Sequence, residues 1–197
     1  MRLLLIRHAR PFRIVSDAAG ADPGLTPDGE VQAKRLAVDV GRGRYGVVDR
    51  IVSSPMRRAA QTAAAVDAVL GLGVNVDDRL AELDRGWTSY RSPMEFYDDR
   101  RDLFADMNAG RIGENTFDTT DFRRRVVAAV DAAASTGSAV TAIVCHGGVI
   151  NAYLAEILGT SATFFTEPYY TSVTCVSVDR DGHRELLSLN ETGHLRE

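Results

Sequence analysis

The 197-residue chain is expected to fold as an α/β protein: a three-layer α/β/α sandwich around a mostly parallel central sheet. Three observations predict this. Short, nearly continuous apolar runs have the length of strands buried on both faces. Apolar residues spaced i, i+3, i+4, i+7 mark amphipathic helices between them. The two kinds of segment alternate, with no internal repeat, low-complexity tract or long linker.

The first strand is Leu3-Leu4-Leu5-Ile6, which ends in Arg7-His8. After a loop rich in Gly, Pro and Asp, Thr26 reads as a helix N-cap with Pro27 at the first helical position. Ala33, Leu36, Ala37 and Val40 form the stripe of that helix, and Gly41 and Gly43 end it. Residues 47–52 read as the second strand. Ser53-Ser54-Pro55 then repeats the cap-and-proline signal before the stripe Ala59, Thr62, Ala63, Val66. Residues 74–76 read as a short strand and 78–92 as irregular. Phe96, Leu103, Phe104 and Met107 predict a helix from about Pro93; Phe122, Val126, Ala129, Val130 and Ala133 predict another. Residues 140–145 form the third strong strand, followed by His146-Gly147-Gly148 and a helix through Ala152, Leu154, Ala155 and Leu158. Residues 173–178 and 185–189 read as two closing strands, paired through Asp179-Arg180-Asp181-Gly182.

The length suits one domain over residues 1–197. The 23 basic and 27 acidic side chains leave a net charge of −4, so no positive surplus exists to wrap nucleic acid or an anionic membrane. Cys145 and Cys175 are too few for a disulfide framework or a four-cysteine zinc site, and read as reduced, buried thiols. No apolar stretch approaches the length of a membrane span, and the first apolar run is too short for a signal peptide. A cytoplasmic protein is expected. Nothing in the sequence sets an oligomeric state.

In parallel sheets ligands bind beyond the carboxyl ends of the strands. There this chain places Arg7-His8, Ser54-Pro55-Met56-Arg57-Arg58 and His146-Gly147-Gly148. Two of those strands run into helices, whose N-termini carry free N–H groups and partial positive charge. The outcome is a local positive pocket in an acidic protein, suited to a small multiply charged anion. Phosphate fits best, because guanidinium forks match its oxygens.

These residues also carry a family resemblance. Leu5-Ile6-Arg7-His8-Ala9 resembles the Arg-His-Gly signature of the histidine phosphatase (phosphoglycerate mutase-like) superfamily. Ser53-Ser54-Pro55-Met56-Arg57-Arg58-Ala59-Ala60-Gln61-Thr62-Ala63 is similar to its Ser-Pro-Leu-x-Arg-Ala-x-Gln-Thr-Ala segment, and Leu80-Ala81-Glu82 to its Leu-x-Glu element. Val144-Cys145-His146-Gly147-Gly148 looks like its second histidine motif. Leu25-Thr26-Pro27-Asp28-Gly29 and Asn190-Glu191-Thr192-Gly193-His194-Leu195 also fit, in family order. The resemblance implies a phosphatase in which His8 becomes phosphorylated. Arg7, Arg58 and His146 would surround the phosphoryl oxygens, His146 most usefully when protonated, and the Gly147 N–H would add a donor. Glu82 would be the general acid that protonates the leaving oxygen and then activates water. Arg57 falls at a variable position and is expected in solvent. The substrate implied is a small phosphorylated metabolite or a phosphoprotein, with inorganic phosphate as product and no cofactor or metal.

Departures from the pattern bear on substrate. Ala9 replaces the usual Gly. Arg10 and Pro11 stand where Glu or Gln and then Thr or Ser often follow, and Ile14 replaces a frequent Asn. Arg10 is left with three readings: compensation for that Asn, a second anion contact, or solvent. Residues 86–117 are expected to form the substrate-facing insertion. Its Trp87, Tyr90, Phe96 and Tyr97 have a pocket and a core reading. Gly113-Glu114-Asn115 is similar to an element of phosphatase-like members. Cofactor-dependent mutases carry Glu-Arg-His-Tyr-Gly where this chain has Glu82-Leu83-Asp84-Arg85-Gly86, so a phosphatase is favoured over a mutase. A weakly active phosphate-binding regulatory protein is the other alternative. Gly41-Arg42-Gly43-Arg44-Tyr45-Gly46 matches G-x-G-x-x-G but lies between helix and strand, the wrong order for a dinucleotide site. His183 and His194 have no partners at metal-ligand spacing.

Overall fold

The structure is a computed structural model that describes residues 1–196. Among them β1 (Arg2–Arg7), α1 (Pro27–Gly41), β2 (Arg50–Ser53), α2 (Arg57–Leu70) and β3 (Val74–Val76) come first. Next are α3 (Arg100–Asn108), the two-residue strands β4 (Arg111–Ile112) and β5 (Asn115–Thr116), and α4 (Thr119–Ala134). Then follow β6 (Val140–Cys145), α5 (Gly147–Ile157), β7 (Val173–Val178) and β8 (Arg184–Glu191). The main sheet has the order β3-β2-β6-β1-β7-β8. β3, β2, β6 and β1 are parallel, whereas β7 runs antiparallel to both β1 and β8.

The alternation of side chains along β1 builds the layers. Leu4 and Ile6 pack with Leu36, Ala37 and Val40 of α1 and Ala59, Ala63 and Val66 of α2. Leu3 and Leu5 face the other way, against Phe122, Val126 and Val130 of α4 and Val149, Ile150 and Tyr153 of α5. Each fully buried Leu or Ile contributes about 1.5–3 kcal/mol by leaving water. The expected three-layer α/β/α fold with a mostly parallel sheet is therefore the observed one. No helix among the described residues is long and apolar enough to cross a membrane.

Several boundaries move. α1 begins as expected: the Thr26 hydroxyl accepts the Gly29 N–H at 3.0 Å, with Pro27 at the first helical position. α2 does not start at Ser53-Ser54-Pro55. It begins at Arg57, whose N–H donates to both Asp22 carboxylate oxygens at 3.0 and 3.1 Å. The cap comes from far along the chain, which frees Ser54 for another partner. The second strand is Arg50–Ser53, not 47–52, because Val47 lies in the approach loop and is 82% exposed. The helix expected from Pro93 is a 3-10 turn, Pro93–Glu95, followed by α3. Asp99 starts that helix afresh by accepting the Arg101 N–H at 2.8 Å. The closing hairpin is present, with β8 longer than residues 185–189.

Candidate active site

The strand register assembles the site. Arg7 pairs with Cys145 across β1 and β6, and the His8 N–H donates to the Cys145 carbonyl at 2.9 Å. His8 and His146 thus leave adjacent parallel strands side by side, their ring centroids 5.1 Å apart. On the other side of β6, Ser53 pairs with Val144, so Ser54 reaches the same edge. Its hydroxyl meets His146 Nε2 at 2.7 Å.

His8 is 2% exposed and borders a cleft that Arg7, Arg58, Glu82, Asp84 and Gly147 also line. Its Nδ1 lies 2.8 Å from the Ala9 carbonyl. A carbonyl only accepts, so Nδ1 carries the proton and Nε2 keeps its lone pair. Arg58 Nε approaches that Nε2 at 3.3 Å. Burial, then Arg58 and Arg7, hold the His8 pKa well below the ordinary value. The imidazole is neutral near pH 7, and its one Nε2 lone pair accepts the Arg58 Nε–H, a contact that an incoming phosphoryl group would have to displace.

Each arginine is fixed by an aromatic ring and an acceptor. Arg7 stands 4.3 Å from the Tyr170 ring centroid and donates to the Pro168 carbonyl. Arg58 stands 4.6 Å from the Tyr90 centroid and donates to Asp84 Oδ1 at 2.7 Å. Burial disfavours the Arg58 charge, but Asp84 more than restores it, so its pKa lies above the ordinary value. Among the described residues, Arg7 Nε, Arg58 Nη1 and His146 Nδ1 are buried without a hydrogen-bond partner, although Arg58 Nη1 lies 3.9 Å from Asp22 Oδ1. Guanidinium N–H donors without a hydrogen bond are expensive to leave unmet and are what an oxyanion would satisfy.

Glu82 follows a 3-10 turn, residues 78–80, that Arg125 of α4 pins by donating to the Arg79 and Ala81 carbonyls at 2.6 and 2.7 Å. Its Oε2 accepts the Gly148 N–H at 2.7 Å and its Oε1 the Leu83 N–H at 3.0 Å. Burial and the neighbouring Asp84 raise its pKa above the ordinary carboxylate value, against the pull of those two donors.

The structure thus brings Arg7, His8, Arg58, Glu82 and Gly147 to one cleft. It sets His146 behind it, fully buried against His8 rather than lining the opening. Burial, then Arg58, His8 and Arg7, lower the His146 pKa well below the ordinary value, so in the free protein it is neutral rather than protonated. Arg10 is not brought in. Its side chain is exposed, 3.9 Å from Asp28, and borders no part of the cleft.

Sequence reasoning passed over Asp84, Tyr170 and the parts that hold them. Thr62 accepts the Ala9 N–H at 3.0 Å and donates to the Arg58 carbonyl at 2.8 Å, so one residue of the Gln-Thr pair ties nucleophile loop to arginine. Gln61 accepts the Leu25 N–H at 2.7 Å. Thr171 adopts φ 57°, a left-handed conformation rare for a β-branched residue, and its hydroxyl meets His194 Nε2 at 3.0 Å. Asn190 accepts the Tyr169 N–H at 2.7 Å. The late Asn190–His194 motif therefore braces the turn that carries Tyr170. Ile14 exchanges both backbone bonds with Tyr90, at 3.0 and 2.9 Å, and so sets the ring against Arg58.

Over 202 aligned residues the chain is 27% identical to a protein of Hydrogenobacter thermophilus named "Putative phosphoserine phosphatase 2", covering 100% of this chain and 98% of that one. Its fold matches a phosphoserine phosphatase of Entamoeba histolytica in complex with phosphoserine, at TM-score 0.75 and 23% identity over 98% of both chains. It matches mycobacterial glucosyl-3-phosphoglycerate phosphatase equally, at TM-score 0.75 and 24% identity over 98% of this chain and 99% of that one. The sequence model of the histidine phosphatase superfamily (branch 1) matches residues 3–192, and the chain belongs to that family.

Proposed function

We propose that the protein is a metal-independent phosphatase that hydrolyses a small phosphate monoester through a phosphohistidine on His8. The observation that carries this is the neutral His8, its proton on Nδ1 and its Nε2 lone pair toward Arg58, beside Arg7 Nε and Arg58 Nη1, which lack a hydrogen-bond partner among the described residues. In the first step Nε2 attacks phosphorus, the ester P–O bond breaks, and Glu82 gives its proton to the departing alcohol oxygen. In the second, the Glu82 carboxylate takes a proton from water, whose oxygen attacks phosphorus. The N–P bond then breaks, its electrons return to Nε2, and inorganic phosphate leaves. Arg7 and Arg58 stabilise the charge on the phosphoryl oxygens. A phosphate dianion beside His146 opposes the cationic neighbours that lower its pKa and favours the protonated donor form. The Gly147 N–H, at the first position of α5, supplies a further donor.

A small phosphorylated metabolite is the substrate class this reading favours over a phosphoprotein. Its support is the cleft beside His8 and the names of the relatives, "Putative phosphoserine phosphatase 2" and glucosyl-3-phosphoglycerate phosphatase. Residues 86–117 serve as the substrate-facing insertion of a single domain. A cytoplasmic setting draws support from Cys145 and Cys175, buried thiols in β6 and β7 that β1 separates. A mutase would keep the phosphoryl group on product. Incubation with phosphorylated metabolites should instead release phosphate to water, and retention on the product would refute the hydrolase reading.

Glu82 must hold a proton to act as the acid. Its raised pKa extends that form upward in pH, and activity falls as pH rises through it. A kcat/KM profile should therefore decline on its alkaline side, and Glu82→Gln should lower the rate about 10²–10⁴-fold and abolish that limb. Phosphate affinity should survive the change. A limb that persists in Glu82→Gln assigns it to another group.

Gly148 tests the same carboxylate from outside. A Cβ there would overlap Glu82 Oε1 and stand 3.0 Å from its Cδ. Gly148→Ala should displace the acid and lower kcat about 100-fold, since a shift of about 1 Å costs that much. Unchanged kcat would show that the carboxylate position is not critical.

A further inference from the structure

We propose, resting on the phosphatase reading above, that the alcohol carried by the substrate is apolar: an aliphatic or aromatic alcohol rather than a sugar or an amino acid. The cleft is not uniformly charged. Beyond His8 and the two arginines its wall carries the apolar side chains Leu83, Trp87, Phe96, Phe104, Met107 and Ile112, with polar residues such as Ser89, Arg91 and Asn115 between them. These apolar residues come from the loop after Glu82, from α3 and from β4, one stretch of chain, while Asn151, Thr166, Glu167 and Pro168 border the cleft from elsewhere. Leu83, Phe104 and Met107 are packed against the larger core cluster from behind, which holds them in place while they border the cleft. Phe96 is 41% exposed at the rim.

Some polar groups of that wall are engaged: Glu167 is paired with Arg100 at 3.3 Å, and the Asn151 amide bonds the main chain of Gly147, Phe165 and Thr166. Arg91 leans over the Phe96 ring at 5.8 Å, and its Nε is buried without a hydrogen-bond partner among the described residues. A sugar or amino-acid group set against these apolar side chains would exchange water for hydrocarbon without recovering its hydrogen bonds there. An apolar group instead removes both its own surface and the wall from water. Phosphate recognition and alcohol recognition thus occupy different halves of one cleft.

The test is a series of ethyl, butyl and hexyl phosphate with phosphoserine alongside. The three leaving alcohols have nearly equal acidity, so differences report burial rather than leaving-group chemistry. kcat/KM should rise by up to about fourfold for each methylene buried, and phosphoserine should fall below butyl phosphate. Phe96→Ser and Phe104→Ser should flatten the series; Phe96, at the rim, is the variant least able to disturb folding. Phosphate release without a gradient, or phosphoserine preferred to hexyl phosphate, overturns the apolar-alcohol assignment and leaves the phosphatase reading standing. A gradient that neither variant flattens also overturns it, because the wall named is then not the binding surface. No release from any ester removes both readings.

Discussion

His8→Ala should lose at least about 10⁴-fold in phosphate release from every substrate, the scale at which removal of a nucleophile disables an enzyme of this kind. The same variant should retain inorganic phosphate binding, because Arg7 and Arg58 keep Tyr170, Pro168, Tyr90 and Asp84 when the Arg58–His8 contact is lost. A rapid acid quench with labelled substrate should trap phosphate on the wild-type protein and none on the variant. A variant that hydrolyses an aryl phosphate at the wild-type rate would remove the covalent mechanism. The neutral state of His8 adds a condition. Its pKa lies well below 6.5, so the wild-type nucleophile should not be lost to protonation as pH falls from 8 to 6.5.

Arg58→Ala is expected to damage both function and fold. It removes a donor at the phosphoryl site, for which a loss of about 10²–10³-fold in kcat is typical of a preorganised oxyanion donor. It also strands Asp84, which is 8% exposed and has its carboxylate on Arg58 at 2.7 Å. Breaking a buried pair from one side costs about 3–5 kcal/mol, so thermal unfolding should move down by many degrees. Asp84→Asn separates the two effects. The amide keeps a hydrogen-bond acceptor for Arg58 and drops the buried charge, and it removes the second influence that raises Glu82. Stability should fall less than in Arg58→Ala, and the alkaline limb of the pH profile should move to lower pH. An unmoved limb would mean that Asp84 does not act on Glu82.

Much of the site was readable because its residues lie next to strand ends. Arg7-His8 and His146 follow short apolar runs, and parallel pairing of those runs forces the two histidines together. Arg58 was readable as an early position of a helix that starts at the same edge. Glu82 was not: it lies in irregular chain, and only the resemblance singled it out. Asp84 and Tyr170 had no local signal at all. An aspartate in a loop looks solvated until a buried guanidinium closes on it, and Tyr170 matters through a turn held by Asn190 and His194, some 20 residues later in the chain.

The errors have a similar origin. Ser53-Ser54-Pro55 carries a good helix-start signal, but Asp22 supplies the cap two residues later and Ser54 goes to His146 instead. Arg10 is not an error of that kind: solvent was one of its three open readings, and the structure leaves its side chain exposed beside Asp28. Periodicity along the chain by itself determined the layers, because a strand or helix face is set by residues a few positions apart. Motif order determined the family. Which carboxylate pairs with Arg58, which rings hold the arginines, that His146 sits neutral behind His8, and that apolar side chains border the cleft were decided only by tertiary structure. Those properties depend on burial and on contacts between residues far apart in sequence, where desolvation and distance rather than local preference set the energy.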